Sequence, residues 1–342
     1  MHEERKRDHL RICLEEDVAP PYLSTGLNEY HFIHQALPEI DLAAVRPSLR
    51  LLGKELNAPL IISSMTGGTK EAERINLNLA QAAQEVGVGM GVGSLRAALE
   101  DPRLASTYQV RRVAQGILLF ANLGAVQLNY GYGPEECQRA VEMIDADALI
   151  LHLNPLQECL QPEGNTNFAA LLPKIQEVRR HLSVPLVVKE VGWGISKPVA
   201  EMLEKAGVAA IDVAGRGGTS WSEVERHRAV DSKMVNMARS FGDWGISTAR
   251  SIQMVREAAP RTTIIASGGV RTGVDVAKAI ALGAHAAGMA IPFLEAAARG
   301  SLAVVEKLEE ITQELRVAMF CIGVTNLEAL RDTPLLERGD RG

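Results

Sequence analysis

The densest group of side chains that could do chemistry is the segment HLNPLQE at residues 152–158. An imidazole, two amides and a carboxylate stand close together in it, and Pro155 disfavours a continuing helix. Glu158 is a candidate magnesium ligand, because Mg²⁺ is typically held by one or two carboxylates together with phosphate oxygens of a substrate. The alternative is a polar loop that faces water.

Three further polar residues could contact an anion or a ring. Lys189 ends the apolar run PLVV, and a buried ammonium is costly unless it meets an opposite charge. We expect it to meet an anionic cofactor; a buried ion pair with Glu190 or Asp212 is the alternative. Arg96 in GSLR is a candidate for binding an anionic substrate, or else a solvated surface residue. Asn122 in FANLG is suited to hydrogen-bond an imide ring edge, and equally to cap a turn.

Glycines are concentrated in five segments of the chain. They occur at 64–68 (SMTGG), 87–93 (GVGMGVG), 215–221 (GRGGTSW), 267–273 (SGGVRTG) and 288–292 (GMAIP). Glycine lets a ligand approach the backbone closely, and N–H groups at a helix start bind phosphate without a net positive charge. Together with Lys189 and Thr219, this pattern suggests a phosphorylated planar cofactor, and flavin mononucleotide (FMN) fits it best. A set of plain turns is the alternative.

These segments follow short apolar runs that alternate with helical patterns. The runs are predicted to form strands at 60–63, 88–92, 117–121, 148–151, 186–189, 210–213, 263–266 and 286–289. Strands of a parallel sheet that is covered on both faces are continuously apolar, as these are. We therefore predict an α/β protein with a single (β/α)8 TIM barrel, whose chemistry lies at the C-terminal ends of the strands.

Residues at both ends of the chain lie outside the predicted barrel. We assign residues 1–55 to an N-terminal extension, 56–320 to the barrel and 321–342 to a C-terminal tail, with an amphipathic helix over 301–319 before the tail. Taken alone, the basic cluster at Arg5, Lys6 and Arg7 is a solvated tail.

Composition narrows the class of protein. The 342 residues are 46% hydrophobic and 23% charged, with a net charge of −6, which excludes a disordered or collagen-like chain. The acidic balance and the 4% aromatic content argue against a nucleic-acid partner. The weakly polar run 279–294 contains His285 and Pro292 and is too short to span a membrane, so we expect no membrane partner. Scattered cysteines without a CxxC pair, and a charged N-terminus without an apolar signal core, predict a reducing, cytoplasmic location.

The ordered set of motifs resembles one enzyme family, the type 2 isopentenyl-diphosphate isomerases. The resemblance rests on RKRDH at 5–9, SMTGG at 64–68, GSLR at 93–96, HLNPLQE at 152–158, VVKEVGWG at 187–194, GRGGTSW at 215–221 and ASGGVRTG at 266–273. It runs from the N-terminal segment to Ala290 and Ile291, nearly the whole chain. Members of this family move a carbon–carbon double bond between isopentenyl diphosphate and dimethylallyl diphosphate.

The resemblance implies reduced FMN, Mg²⁺ and NADPH as the reductant of the flavin, and a homotetramer or homo-octamer. It implies an FMN site made of Met65, Thr66, Gly67, Ser94, Asn122, Lys189, Thr219, Gly269, Val270, Arg271, Ala290 and Ile291. It also implies that residues 1–55 help to close over the substrate, and that residues 56–320 form an FMN-binding barrel.

The same resemblance implies roles around the substrate. The isoprenoid diphosphate would meet Arg5, Lys6, His9, Ser94, Leu95, Arg96 and Gln157. The catalytic group would comprise His152, Asn154 and Gln157, with the magnesium ion on Glu158. The chain departs from the family pattern at Leu95, where a polar residue is usual, so only backbone contacts with the substrate are expected there.

Two other functions fit parts of the pattern. An ordinary FMN oxidoreductase shares the barrel and the SGGVRTG segment, but it normally supplies a histidine base after a late strand or a cysteine or serine base on a mobile loop. Here GRGGTSW follows the sixth predicted strand, and His227 lies further on in the charged run EVERHR. A flavin-binding protein without catalysis is the other alternative, and the polar segment 152–158 counts against it.

Overall fold

The computed structural model describes residues 2–16 (side chains from residue 6), 18, 24–229 and 231–339. Ahead of the barrel come helix α1 (His2–Glu15) and the strands β1 (Tyr30–Phe32), β2 (Leu49–Leu51) and β3 (Lys54–Leu56). Strands β2 and β3 form an antiparallel hairpin. Their inward residues Leu51 and Leu56 pack against Ile61 and Phe120 inside the barrel, so the hairpin covers the end of the barrel at which the strands begin.

Eight parallel strands close into a barrel. They are β4 (Leu60–Ile62), β5 (Gly89–Gly91), β6 (Leu119–Gly124), β7 (Ala148–Leu153), β8 (Leu186–Glu190), β9 (Ala210–Asp212), β10 (Thr263–Ala266) and β11 (Ala286–Met289). The ring closes where β11 pairs with β4, with Met289 opposite Ile62. The α/β fold with one (β/α)8 barrel is therefore confirmed, and a strand forms at each predicted place.

Strands β6 and β7 extend further toward the mouth than the sequence predicted. They pair with each other from Phe120 opposite Ala148 to Gly124 opposite His152. The ladder of hydrogen bonds between them holds Asn122 and His152 within the strands, whereas we expected both residues in the loops that follow. A strand residue is more rigidly placed than a loop residue.

Helices alternate with these strands and surround them. They are α2 (Lys70–Val86), α3 (Arg96–Glu100), α4 (Pro134–Ile144), α5 (Pro155–Leu160), α6 (Leu171–His181), α7 (Lys197–Lys205), α8 (Trp221–Arg228), α9 (Ser232–Ser240), α10 (Thr248–Ala258), α11 (Gly273–Ala281), α12 (Ile291–Arg299), α13 (Ser301–Cys321) and α14 (Leu327–Arg331). The expectation at Pro155 was wrong. Pro155 begins α5, because proline lacks only an N–H that has no partner in the first turn of a helix.

The two ends of the chain pack on the barrel. Helix α1 lies over the mouth against α8 and α12, and its Leu10 and Ile12 are buried. Helix α13 packs against α2 and α11, and strand β12 (Leu336–Arg338) pairs antiparallel with β1. None of the helices in the described ranges is long and apolar enough to cross a membrane.

Candidate active site

A cavity of about 290 Å³ opens at the mouth of the barrel beneath α1. Each of the eight barrel strands, or the segment that follows it, supplies residues to the wall of this cavity. Of the residues singled out from the sequence, the wall contains Lys6, His9, Met65, Thr66, Ser94, Arg96, Asn122, His152, Asn154, Gln157, Glu158, Lys189, Thr219, Gly269, Val270, Arg271, Ala290 and Ile291. The fold therefore brings nearly all of the candidate residues to one place.

Two candidates, Leu95 and Gly67, do not reach this cavity in the expected way, and a third is not described. Leu95 is fully buried, its N–H donates to the carbonyl of Asn122 (2.8 Å), and its own carbonyl accepts from the first turn of α3. Both backbone groups of Leu95 are thus engaged within the protein, and a substrate contact there is not supported. Gly67 lies beside Tyr108, and a Cβ on it would lie 1.9 Å from that ring. The side chain of Arg5 lies outside the described residues.

Lys189 lies in β8 between two neighbouring strands, opposite His152 on one side and Asp212 on the other. Its Nζ lies 3.4 Å from Oδ2 of Asp212 and donates to Oγ of Ser267 (3.2 Å). The ion pair that we considered as the alternative is therefore present. Because Lys189 also lines the cavity, the pair holds the ammonium at the wall and leaves it accessible to an anion.

Glu190 does not pair with Lys189 through its side chain. Its Oε2 accepts from the N–H groups of Val191 (2.7 Å), Gly192 (2.6 Å) and Trp193 (2.5 Å). Burial raises the pKa of Glu190 to about 7, although those N–H groups favour the ionised form. This carboxyl group shapes the turn after β8.

The loop after β10 and the start of α12 could bind an anion. No described acceptor takes a hydrogen bond from the N–H groups of Gly268, Gly269 or Val270. Ala290, the residue before α12, gives the helix no side-chain cap. In the first turn of α12, Pro292 has no N–H and Phe293 and Leu294 donate to the carbonyl of Ala290, so the N–H of Ile291 is the one left without a described acceptor. A phosphate oxygen would satisfy these donors.

The start of α11 cannot take that role. Thr272 and Asp275 form a capping box there, and the N–H of Gly273 donates to Oε2 of Glu314 on α13 (2.5 Å). The sequence placed an anion site in the segment 267–273 without distinguishing the loop from the helix that follows. Of these two, only the loop offers N–H groups without a described acceptor.

Three buried polar atoms in the cavity wall fit a polar ligand. The hydroxyls of Ser63 and Ser64 and the Oδ1 of Asn154 are buried without a hydrogen-bond partner among the described residues, and all three residues line the cavity. Buried polar atoms are seldom left without a partner. The wall is therefore suited to a ligand with several donors and acceptors, such as a flavin.

The polar segment after β7 forms a connected group. Nδ1 of His152 lies 2.8 Å from Oδ1 of Asn122, so the imidazole donates there, and the amide of Asn122 orients it. Nδ2 of Asn154 donates to Oε1 of Glu158 (2.9 Å) and to Oε1 of Gln157 (3.2 Å). One amide thus fixes both a carboxylate and a second amide at the wall.

Glu158 is suited to bind a magnesium ion. Its Oε1 accepts from Asn154, and its Oε2 accepts from the N–H of Asn165 (2.5 Å), which leaves lone pairs on both oxygens. Within the described ranges no cluster of three or more histidine, cysteine or acidic residues could hold a metal ion by itself. A cation on Glu158 would therefore need ligands from water or from a bound phosphate, which is the usual arrangement for Mg²⁺.

Sequence reasoning missed Glu225, which it treated as part of a charged run. Glu225 is only 2% exposed. Its Oε1 lies 3.0 Å from Nε2 of His9 and 3.4 Å from Nε2 of Gln157, and its Oε2 lies 2.6 Å from Nη1 of Arg228. Burial raises the pKa of Glu225, but His9 and Arg228 outweigh it and hold the pKa below the usual value. The helical spacing of Trp221, Glu225 and Arg228 is the signal that could have shown a shared face.

Helix α1 is held at two sides of the mouth. Nζ of Lys6 donates to the carbonyl of Ser94 (3.1 Å) and also contacts the hydroxyl of Tyr108. The ring of His9 packs edge-on against Trp221, with 5.1 Å between the ring centres. The charged segment RKRDH is thus partly docked on the barrel, and Lys6 and His9 face the cavity.

Comparison with known proteins gives consistent results. The model of the FMN-dependent dehydrogenase family matches residues 156–337. Mandelate oxidase structures with bound 3,3-difluoro-2-hydroxy-3-phenylpropionic acid and with (S)-2-phenylpropionate have TM-scores of 0.66 and 0.65 at 20% identity. The alignments cover 99% and 98% of this chain and 98% and 97% of those chains. At that identity they show a shared fold only.

Curated relatives are much more similar. The isopentenyl-diphosphate delta-isomerases of Nostoc sp. and Synechocystis sp. are each 54% identical over 334 residues, which is 98% of this chain and 95% and 96% of theirs. That of Rickettsia rickettsii (strain Sheila Smith) is 51% identical over 327 residues, 96% of this chain and 95% of the relative. With this identity over nearly its whole length, and with the FMN-dependent family match, the chain belongs to the type 2 isopentenyl-diphosphate delta-isomerases.

Proposed function

We propose that this protein interconverts isopentenyl diphosphate and dimethylallyl diphosphate, with reduced FMN and Mg²⁺ bound at the mouth of the barrel and NADPH serving only to reduce the flavin. The observation that carries this proposal is the pairing of two sites in one cavity. Free N–H donors after β10 face it from one side, and the amide and carboxylate group of α5 faces it from the other.

FMN fits the side of the cavity where glycines and unpaired donors lie. Its phosphate would meet Gly269, Val270, Ala290 and Ile291, and Lys189 would offer positive charge to the ring system. The rest of the FMN site would comprise Met65, Thr66, Gly67, Ser94, Asn122, Thr219 and Arg271. When bound in the reduced form, FMN would supply the acid–base chemistry that an unactivated alkene requires.

The diphosphate of the substrate would bind at the opposite side of the mouth. Lys6, His9 and Arg96 line the cavity there, and a magnesium ion on Glu158 would bridge to phosphate oxygens. Arg5, Ser94 and Gln157 complete the proposed substrate contacts. An acidic protein can bind this anionic substrate because a few placed cations set the local field.

Gln157 would position the reacting carbon or relay a proton. Its Oε1 accepts from Asn154, and its Nε2 lies 3.4 Å from the buried carboxylate of Glu225, so the amide has a defined orientation. His152 and Asn154 would assist by fixing their neighbours. Helix α1 covers this region and would help to exclude water, which matters because a cationic transition state is vulnerable to hydration.

The structure gives no support to the oxidoreductase alternative. Nδ1 of His227 lies 3.9 Å from Oε2 of Glu16, and His227 is not among the described residues that line the cavity. His227 therefore does not provide the histidine base that an oxidase of hydroxy acids needs.

We also propose a homotetramer or homo-octamer in the cytoplasm. Within the N-terminal extension 1–55, α1 would cover the substrate, whereas the hairpin of β2 and β3 lies at the other end of the barrel. Residues 321–342 would serve as a C-terminal tail that packs on the N-terminal extension through β12 and β1. Leu37, Trp244 and Leu302 are exposed by 77%, 60% and 67%, and contacts between copies would bury such side chains favourably. Light scattering on the purified protein tests the assembly: a monomer at all concentrations contradicts it.

A solvent-isotope experiment tests the reaction. Photochemically reduced enzyme is incubated with isopentenyl diphosphate and Mg²⁺ in deuterated water, with NADPH present only in a parallel sample. We expect deuterated dimethylallyl diphosphate in both samples and no stoichiometric loss of NADPH. Consumption of one NADPH for each product formed would contradict an isomerase, and a purified protein that does not bind FMN would contradict the flavin site.

A further inference from the structure

The loop between α5 and α6 contains an asparagine that contacts two residues of the proposed substrate site and a third residue of the cavity wall. Oδ1 of Asn165 accepts from Nη1 of Arg96 (3.1 Å) and from Nε2 of Gln127 (3.0 Å). Its backbone N–H donates to Oε2 of Glu158 (2.5 Å). One residue thereby connects the arginine at the cavity wall with the carboxylate proposed for Mg²⁺.

The orientation of this amide follows from its partners. A guanidinium can only donate, so the oxygen of Asn165, and not its NH₂, must face Arg96. The same oxygen then takes the hydrogen bond from Gln127, which is 4% exposed and lines the cavity. The contact with Asn165 on Nη1 and the ion pair with Glu100 on Nε (2.8 Å) hold the guanidinium of Arg96 from two directions.

The charge of the side chain matters as much as its shape. Glu158 and Glu100 already bring two carboxylates to this side of the mouth. A third carboxylate at position 165 would neutralise Arg96 and repel an anionic ligand. A neutral amide gives Arg96 the same geometry and leaves its charge available.

The backbone contact is independent of the side chain. Gly164 lies so close to α5 that a Cβ on it would be 1.8 Å from the carbonyl oxygen of Glu158. This approach places the next N–H, that of Asn165, on the carboxylate. Changes to the Asn165 side chain should therefore leave the contact with Glu158 in place, so the two functions of this residue can be separated.

We propose that Asn165 is a positioning residue that orients Arg96 toward the anionic end of a diphosphate bound with a divalent cation, and that its neutrality keeps that arginine available. The identity of the substrate in this inference rests on the proposed function. The contacts themselves require only a diphosphate, so inorganic pyrophosphate serves as the probe.

Two variants and one matched control test the proposal by calorimetry of pyrophosphate in the presence of Mg²⁺, on the FMN-loaded protein. Asn165→Asp should weaken binding by at least about tenfold, because it introduces a like charge and competes for Arg96. Asn165→Ala should weaken it by roughly threefold to tenfold, because only the orienting hydrogen bond is lost. The control is Asn167→Asp, which places the same charge on the same loop, where the side chain accepts only from the N–H of Ala169 (3.1 Å). It should bind within about twofold of the unchanged protein, since exposed charges are screened.

The kinetic readout separates positioning from general damage. KM for isopentenyl diphosphate should rise in both Asn165 variants, whereas FMN affinity and the Mg²⁺ concentration for half-maximal activity in Asn165→Ala should stay unchanged. If Asn165→Asp binds pyrophosphate as tightly as the unchanged protein, or if Asn167→Asp weakens binding equally, the proposal is wrong. Should the Asp variant fail to bind FMN, the Ala variant decides alone. A protein that binds pyrophosphate but does not isomerise contradicts the proposed function and leaves this inference standing.

Discussion

Nε2 of His9 lies 3.0 Å from Oε1 of Glu225, although the two residues are 216 positions apart in the chain. The first belongs to α1 and the second to α8, so this contact ties the N-terminal helix to the barrel. Because Arg228 and Gln157 contact the same carboxylate, the position of α1 is linked to the position of a proposed catalytic amide.

Replacing Glu225 by Gln should loosen α1. The amide cannot accept from both His9 and Arg228 in the same way as a carboxylate, and a buried hydrogen bond to a charged group contributes about 1.5–3 kcal/mol. We expect faster hydrogen exchange in α1 and a rise in KM for isopentenyl diphosphate of about tenfold. The matched control is Glu223→Gln on the same helix, which loses a pair with Arg226 (2.7 Å) and should leave exchange in α1 unchanged.

The stability difference between the protein and its Glu225→Gln variant should depend on pH. The pKa of Glu225 is lowered in the folded protein, so its ionised form contributes stability that is fully present above the usual pKa of a glutamate. That contribution is lost as the pH falls through the lowered pKa. Melting temperatures should therefore differ most near neutral pH and converge in acid; a constant difference would contradict an ionised Glu225.

Replacing Glu158 by Gln should remove the magnesium site while the loop keeps its shape. The new amide oxygen can still accept from Asn154 or from the N–H of Asn165. Loss of the only proposed protein ligand should weaken Mg²⁺ binding, measured with pyrophosphate present, by at least about 100-fold. Glu135→Gln, at an exposed position on α4, is the control. Unchanged Mg²⁺ dependence in the Glu158 variant would place the metal elsewhere.

The barrel and most of the cavity wall could be predicted because parallel strands end at one mouth. Once a strand is located, the residue after it is placed to within a few ångströms of the residues that follow the other strands. Lys189, Glu158 and Gly269 were found in this way. The extent of β6 and β7 was not predicted, because their mutual pairing, rather than the composition of either strand, extends them.

Residues that reach the site from helices and loops could not be placed in the same way. Glu225 and Tyr108 meet α1 only after the chain has folded around the mouth. The helical spacing of Trp221, Glu225 and Arg228 indicates a shared face, but it does not show that this face meets α1. Leu95 shows a different limit: the motif GSLR is at the mouth, but the N–H of Leu95 donates to the carbonyl of Asn122. A motif locates a segment, whereas hydrogen-bond partners decide which of its atoms face the ligand.

Replacing Gly218 by Ala should weaken FMN binding. A Cβ at that position would lie 2.5 Å from the backbone nitrogen of Gly269, so the loop proposed for the phosphate must move. Overpacking of this kind costs about 1–3 kcal/mol, and we expect FMN affinity, measured by quenching of its fluorescence, to fall about tenfold. At Gly116 the nearest atoms to a new Cβ belong to the side chain of Gln84, at 3.4 Å. Gly116→Ala should therefore bind FMN normally, and equal loss in both variants would argue against the phosphate loop.

His285 should make the protein less stable in acid, independently of the active site. Its Nδ1 accepts from the N–H of Ile264 (3.1 Å), and burial, together with the charge of Arg331, lowers its pKa to about 4. The unfolded chain therefore binds a proton between about pH 6.5 and 4 that the folded protein does not, and stability falls as the pH drops through that range.

His285→Asn keeps an acceptor for Ile264 and removes the titrating group. Both proteins should lose free energy of unfolding when the pH falls from neutral to about 5. The loss in the variant should be smaller than that in the unchanged protein by about 1–2 kcal/mol, after allowance for partial solvent screening. Denaturant unfolding at the two pH values measures this difference. His34→Asn changes an exposed histidine and should reproduce the acid sensitivity of the unchanged protein. An equal loss in the His285 variant would mean that this imidazole accepts a proton in the folded state, and that its contact with Ile264 does not require the neutral form.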